Sequence, residues 1–385
     1  MKKDFLKKLI IIRRTIHKYP ELGNTEYKTA AFIEKILKSF GIKTKRLAKT
    51  GVVGILEGRK NSKNSKVLAI RADIDALPIQ EKTGKPYSSK RKGIMHACGH
   101  DANTTMVLGA AMLLSKQRKN ISGKVKFIFQ PNEEASGGAK TMIRTGVLKN
   151  PAPGIIVGIH VNPWLKTGIL GLKTGLMMAA VDKFTIEILG EGGHGAYPNL
   201  AKDSVVVASE IVLALQSIVS REIDPLEPKV LTIGSIKGGE RFNIIADKVS
   251  LVGTVRTLNS RTRKEMRKKI VRRVKGITLA YGVKFRIIYE ELGNSLSNSA
   301  SALKICQRAG EKVLGKRNIV FLDRPSMGGE DFAEYLSKIP GCFIYIGSKT
   351  KKSYPWHHEH FDIDEKALEK GSLVLSEIAK TYLSK

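Results

Sequence analysis

Three short apolar runs, residues 67–70, 125–129 and 155–159, each break off into polar residues, and this repetition constrains the fold more than any other feature. The first runs into Arg71-Ala72-Asp73-Ile74-Asp75, the second into Gln130-Pro131-Asn132-Glu133-Glu134, the third into His160. Runs this short, rich in Val, Ile and Phe, read as buried strands. Between them lie an apolar, alanine-rich helical stretch over 106–114 and a helix opened by Gly137-Gly138-Ala139. Strand, polar cluster and helix in repetition predict an α/β domain on a mostly parallel sheet, with its site at the strand ends.

The densest chemistry lies in Met95-His96-Ala97-Cys98-Gly99-His100-Asp101. Cys98 and His100 can face one side if the backbone between them is extended. Thiolate, neutral imidazole and carboxylate are donors that borderline divalent metals accept. Two donors do not hold an ion, but Glu133-Glu134, His160 and Trp356-His357-His358 could complete a site. Adjacent Glu side chains point apart, so one can bind metal while the other faces substrate and takes a proton from water. Each candidate also has an ordinary reading. The Glu pair could be a charged turn, His160 a core histidine, and His357, His358 and His360 a surface cluster with one or two ligands at most. His194, set among glycines, could be a loop residue, although such glycines let a partner approach closely.

At 385 residues, two domains are expected. A helix over 3–18 ends before Pro20, and a second is expected over about 25–40. The pattern changes near Ala180, where strand, helix, strand, strand, helix, strand follow one another. Residues 180–292 therefore read as an inserted two-layer α+β, ferredoxin-like domain, leaving 1–179 and 293–385 as the first domain. The chain then returns with helices over 301–313 and 330–337 and a strand over 342–346.

Composition limits the remaining choices. With 42% hydrophobic and 26% charged residues the chain reads as globular. It has no unbroken apolar run of roughly 18 residues, so no membrane span is expected. The basic N-terminus has too short an apolar core, residues 9–12 before Arg13-Arg14, for a signal peptide. Cys98, Cys306 and Cys342 form no disulfide framework, which suits a cytoplasmic location. The net charge of +32 could mark a phosphate-binding surface, most densely over residues 261–269. Aromatics are only 6% and are not interleaved with the basic residues, so a solvated helix face is the preferred reading and no nucleic-acid partner is expected. Such a field would still draw in an anionic substrate.

Six motifs in order carry a resemblance over nearly the whole chain: Arg71-Ala-Asp-Ile-Asp-Ala-Leu-Pro, His96-Ala-Cys-Gly-His-Asp, Phe129-Gln-Pro-Asn-Glu-Glu, Gly192-Gly-His-Gly-Ala-Tyr-Pro, Met327-Gly-Gly-Glu-Asp-Phe and His357-His-Glu-His-Phe-Asp. The chain resembles the di-metal amidohydrolase/carboxypeptidase family of hippurate hydrolases, indole-acetyl-amino-acid hydrolases and N-acetyldiaminopimelate deacetylases. The resemblance implies a catalytic domain with two divalent metal ions and an inserted lid that forms a homodimer. Zn²⁺ suits the thiolate, and Mn²⁺, Co²⁺ or Ni²⁺ are compatible. By motif, Cys98 would bridge the metals, with His100, Glu134, His160 and His357 completing their shells. Glu133 would be the general base and Asp73 a residue orienting a ligand or that base. His194 would stabilise the oxyanion from across the dimer, and Asn243 and Arg256 would grip the substrate carboxylate. The implied reaction is hydrolysis of an N-acyl amino acid, with carboxypeptidase action on short peptides as the alternative. A catalytically inactive nucleic-acid-binding or scaffold protein is disfavoured because every ligand and the base are present. Asn103, Asn199 and Ala246 depart from the family pattern, which bears on substrate preference.

Overall fold

The structure is a computed structural model describing residues 2–60 and 66–384. Its main strands are β1 (Lys43–Leu47), β2 (Gly51–Glu57), β3 (Val67–Asp73), β4 (Lys124–Gln130), β5 (Ile155–Asn162), β6 (Leu170–Leu172), β7 (Ala180–Leu189), β8 (Lys229–Gly238), β9 (Lys248–Thr257), β10 (Lys284–Gly293), β11 (Ile319–Phe321) and β12 (Gly341–Gly347). The main helices are α1 (Lys2–Lys18), α2 (Tyr27–Ser39), α3 (His100–Lys116), α4 (Gly138–Arg144), α5 (Ser204–Ser217), α6 (Ser260–Ala280), α7 (Ala300–Leu314) and α8 (Lys366–Leu383).

One unit comprises Met1–Gly175, Ser297–Arg324 and Asp331–Lys385; the other comprises Leu176–Leu296 and Pro325–Glu330. The sequence expectation put residues 325–330 in the first domain. They fall in the second because Ser326 bridges to Met178 and Gly328 O accepts the Ala179 N–H at 3.0 Å.

The first unit is built on one sheet in the order β1-β2-β4-β3-β5-β12-β6-β11. Its centre, β4-β3-β5-β12, is parallel, while β1, β2 and the β12–β6 pairing are antiparallel. Side chains alternate across a strand, and here the alternation separates packing from chemistry. Leu68, Ile70, Ala72, Val125, Phe127 and Phe129 belong to a buried apolar cluster shared with the helices. The intervening positions put Arg71, Asp73, Gln130 and His160 on the other face. Helices α3 and α8 cross so closely that a Cβ on Gly109 would lie 2.2 Å from Ser372 Oγ.

The second unit is a four-stranded antiparallel sheet in the order β8-β9-β7-β10, with α5 and α6 packed on it. In chain order this is second, third, first and fourth strand, the ferredoxin arrangement.

Two local expectations need correction. Cys98 and His100 are not joined by extended backbone: Gly99 has φ +95° and α3 starts at His100 itself. The helix expected over 330–337 shrinks to Ala333–Leu336, while α8 and β1 had no sequence-based assignment. Residues Ser204–Glu222, although long and apolar enough by length and composition to cross a membrane, pack as a core helix. Its Val207, Ile211, Leu215 and Ile218 are buried in the core of the second unit.

Candidate metal centre

The ends of β3, β4 and β5 and the start of α3 bring the predicted donors of the first unit together. Gly99 makes the turn possible. Its left-handed backbone suits glycine, and a Cβ there would lie 2.3 Å from Val161 Cγ2. Donor atoms of Cys98, His100 and His160 lie within 4.8 Å of one another, and so do those of Cys98, Glu134 and His357. The Cys98 sulfur belongs to both groups. His100, Glu133 and Glu134 form a further group of the same span.

The imidazoles are oriented for ligation. His100 Nδ1 lies 2.9 Å from Asp75 O and His160 Nδ1 lies 2.8 Å from Val161 O. A carbonyl only accepts, so Nδ1 donates in both rings and each Nε2 is turned towards the cluster. His160 Nε2 is 3.5 Å from Cys98 Sγ, and His100 Nε2 is 3.7 Å from Glu134 Oε1. His357 Nε2 is 3.3 Å from Glu134 Oε2. The backbone of His357 has φ +66°, a left-handed conformation costing of order 1 kcal/mol outside glycine. By contrast, the His358 ring stacks on Tyr354 at 4.6 Å, and its Nδ1 accepts the His360 N–H.

A divalent cation fits this donor set. His100 Nε2 and Glu134 Oε1 are buried without a hydrogen-bond partner, which is costly unless something else occupies them. Burial and then the Glu134 charge push the Cys98 thiol up. Against its own burial, His100 is raised by Asp73 and Cys98. Thiolate and neutral imidazole, the ligating forms, are reached by releasing those protons. His160 is already neutral at physiological pH, since burial pushes it down to about 4.

Behind the donors lies a buried polar frame. Arg71, fully buried, donates to Gln130 Oε1 at 2.9 Å, Asp73 Oδ2 at 2.7 Å and Asp331 Oδ1 at 3.0 Å. The Asp331 N–H in turn donates to Glu133 Oε1 at 3.3 Å. Asp75 Oδ1 is 3.3 Å from His100 Nδ1, and its Oδ2 accepts the Glu134 N–H at 3.1 Å. Asp75 therefore touches the segments of two proposed ligands, His100 and Glu134, and sequence reasoning gave it no role. The alternating Arg71, Asp73 and Asp75 at the end of an apolar strand was the available signal. Further out, buried Arg13 on α1 pairs with Asp101 at 2.7 Å, Asp362 at 2.9 Å and Glu365 at 3.3 Å.

The remaining candidates belong to the second unit. His194 and Asn243 line one cleft of about 930 Å³, along with residues of the paired Gly193–His194 and Ile244–Ile245 strands. Both are exposed. Arg256, half-buried on β9, is not among that cleft's lining residues.

Residues 69–381 match peptidase family M20/M25/M40. The chain belongs to that family. It is 44% identical over 380 residues to an N-acetyl-L-cysteine deacetylase of Bacillus subtilis, covering 98% of this chain and 88% of the relative. It is 36% identical to thermostable carboxypeptidase 1 of Saccharolobus solfataricus, covering 98% and 96%. A dinuclear metal-binding peptidase of the M20 family from Bacillus subtilis has the same fold, with a TM-score of 0.85 and 36% identity, covering 99% of each chain. The family resemblance read from the six motifs is thus established, as is the mixed α/β fold with its large, mostly parallel sheet.

Proposed function

We propose that this chain is a metal-dependent amidohydrolase that cleaves the amide bond of N-acyl amino acids. One observation carries the reading: a single sulfur, Cys98 Sγ, is common to two donor groups, beside a buried imidazole nitrogen and a buried carboxylate oxygen that lack partners. In this reading Cys98, His100 and His160 hold one cation, and Cys98, Glu134 and His357 the other. Two divalent ions there, with Zn²⁺ favoured by the thiolate and Mn²⁺, Co²⁺ or Ni²⁺ compatible, would polarise the scissile carbonyl and lower the pKa of a water towards neutrality. Glu133 takes the proton of the attacking water and returns it to the leaving amine. Its place beside Glu134, and the Asp331 N–H on Oε1, support that role. Asp73 braces the frame behind the ligands.

In the second unit His194 is the proposed oxyanion donor, and Asn243 and Arg256 the proposed grip on the substrate carboxylate. The shared cleft supports grouping His194 with Asn243, and Arg256 is included by its motif. We also propose a homodimer through this unit, with His194 serving the partner's centre. Leu213 at 74% exposure, Ile236 at 58% and fully exposed Phe242 are apolar surface that a second copy would cover. Free cysteines support a cytoplasmic location.

The test is turnover of acetyl-, benzoyl- and indole-acetyl-amino acids and of dipeptides, with Zn²⁺, Mn²⁺ or Co²⁺ added. Glu133→Gln should retain two metals and lose roughly 10²–10⁴ in kcat. Undiminished turnover by that variant removes Glu133 from the mechanism. Dipeptides consumed faster than every acyl amino acid would replace the deacylase reading with carboxypeptidase action.

A further inference from the structure

We infer that Asn103 is a positioning residue that bridges β3 and β5 beyond the end of their backbone ladder and thereby sets one of the two proposed metal sites. The inference rests on the di-metal reading above.

The two strands pair in parallel from Leu68↔Ile155 only as far as Arg71↔Gly158. On their outer sides they continue, β3 with β4 to Asp73↔Gln130 and β5 with β12 to Gly347↔Asn162. They therefore part from each other two residues before Asp73 and His160, which opens a crevice at the carboxyl ends of the sheet. Backbone groups in such a crevice need partners from elsewhere.

Asn103 supplies one, for the Val161 N–H, while Thr104 Oγ1 donates to the Asp73 carbonyl. Asn103 is fully buried and stands one turn beyond His100 on α3. Its Nδ2 donates to Asp73 Oδ1 at 2.9 Å, and its Oδ1 accepts the Val161 N–H at 3.0 Å. The Val161 carbonyl is the group that fixes His160 Nδ1, at 2.8 Å. One amide thus joins the helix carrying His100, the carboxylate beside that histidine and the residue that orients the His160 ring. Arg71 holds the other oxygen of Asp73 at 2.7 Å, so the carboxylate is gripped from both sides.

The arrangement requires a donor and an acceptor on one short planar group. Leucine has a similar shape and offers neither. Aspartate would turn a second carboxylate oxygen towards Asp73. The effect should also be one-sided, because the side chain of Asn103 hydrogen-bonds to Asp73 and to the residue after His160, both on the side of the Cys98–His100–His160 group. Loss of the bridge should loosen the Cys98–His100–His160 site and leave the Cys98–Glu134–His357 site alone.

The experiment is titration of the metal-free full chain with Co²⁺, read by calorimetry and by the thiolate-to-cobalt absorption band. His160→Ala and His357→Ala assign the two binding steps. Asn103→Leu and Asn103→Asp should weaken the His160-dependent step by roughly 10–100-fold, the usual cost of removing a group that orients a ligand. The His357-dependent step should keep its wild-type affinity. Asn103→Ser, which cannot overfill the crevice, should weaken the same step and decides the matter if the larger substitutions do not fold. Both steps unmoved, or both weakened equally in a folded variant, would overturn the inference while leaving the di-metal reading intact. Wild-type protein that binds no Co²⁺ would overturn that reading and this inference with it.

Discussion

His100 and His194 both follow a glycine, yet the fold treats them in opposite ways. His100 is 1% exposed, its Nδ1 is committed to the Asp75 carbonyl, and Asp73, Cys98 and Glu134 surround it. His194 is exposed on a two-residue strand, where its Nδ1 accepts only the nearby Ala196 N–H, at 3.1 Å. The first ring is held by Asp73 at the end of β3 and by the loops that carry Asp75, Cys98 and Glu134; the second is held by its own loop. A metal centre needs donors fixed before the ion arrives. A group meeting a developing charge on substrate can stand on an open surface until substrate or a second copy covers it. The first unit therefore carries the architecture of binding, and the second that of encounter.

That contrast can be broken most directly at the shared sulfur. Cys98→Ala should lose both cations and reduce turnover to background, as measured by metal analysis of the purified protein. Retention of one tightly held metal would show that the two donor groups do not depend on a common atom. A smaller effect is expected at the exposed ring. His194→Ala should cost about 10²–10³ in kcat with metal content unchanged. Metal lost along with activity would mean that the two regions are not separable. The smallest effect on the centre itself should come from Leu213→Asp on α5, which should shift sedimentation from dimer to monomer and leave the metal isotherm of the isolated chain unaltered. A variant that sediments like the wild type would remove Leu213 from the proposed interface.

Much of the first unit was legible because chemistry and periodicity coincide in it. The runs at 67–70, 125–129 and 155–159 are strands, and Glu134 and His160, which follow two of them, each come within reach of Cys98. The sequential spacing of Cys98 and His100 was a fair signal for the wrong geometry, since the turn at Gly99 and the start of α3, not extended backbone, juxtapose them. Asn103, Asp75 and Asp331 had no assigned roles for a different reason. Their partners are Val161, Glu134 and Arg71, whose nearness depends on strand order and on where β3 and β5 part. Spacing along the chain carries no information about either. Helix α8 had no sequence-based assignment although its buried Ala367, Leu368, Gly371, Leu375 and Ile378 recur at helical intervals.

The Arg13 cluster bears on how such a protein comes into being. One guanidinium near the start of the chain clasps Asp101, the neighbour of His100, together with Asp362 and Glu365 near its far end. His357 lies in that same late stretch. A growing polypeptide would hold Cys98, His100, Glu134 and His160 long before the last donor and the last two acids for Arg13 emerge from the ribosome. The Cys98–Glu134–His357 group and the Arg13 clasp are therefore complete only once residues 357–365 have been made, whereas every member of the Cys98–His100–His160 group precedes them.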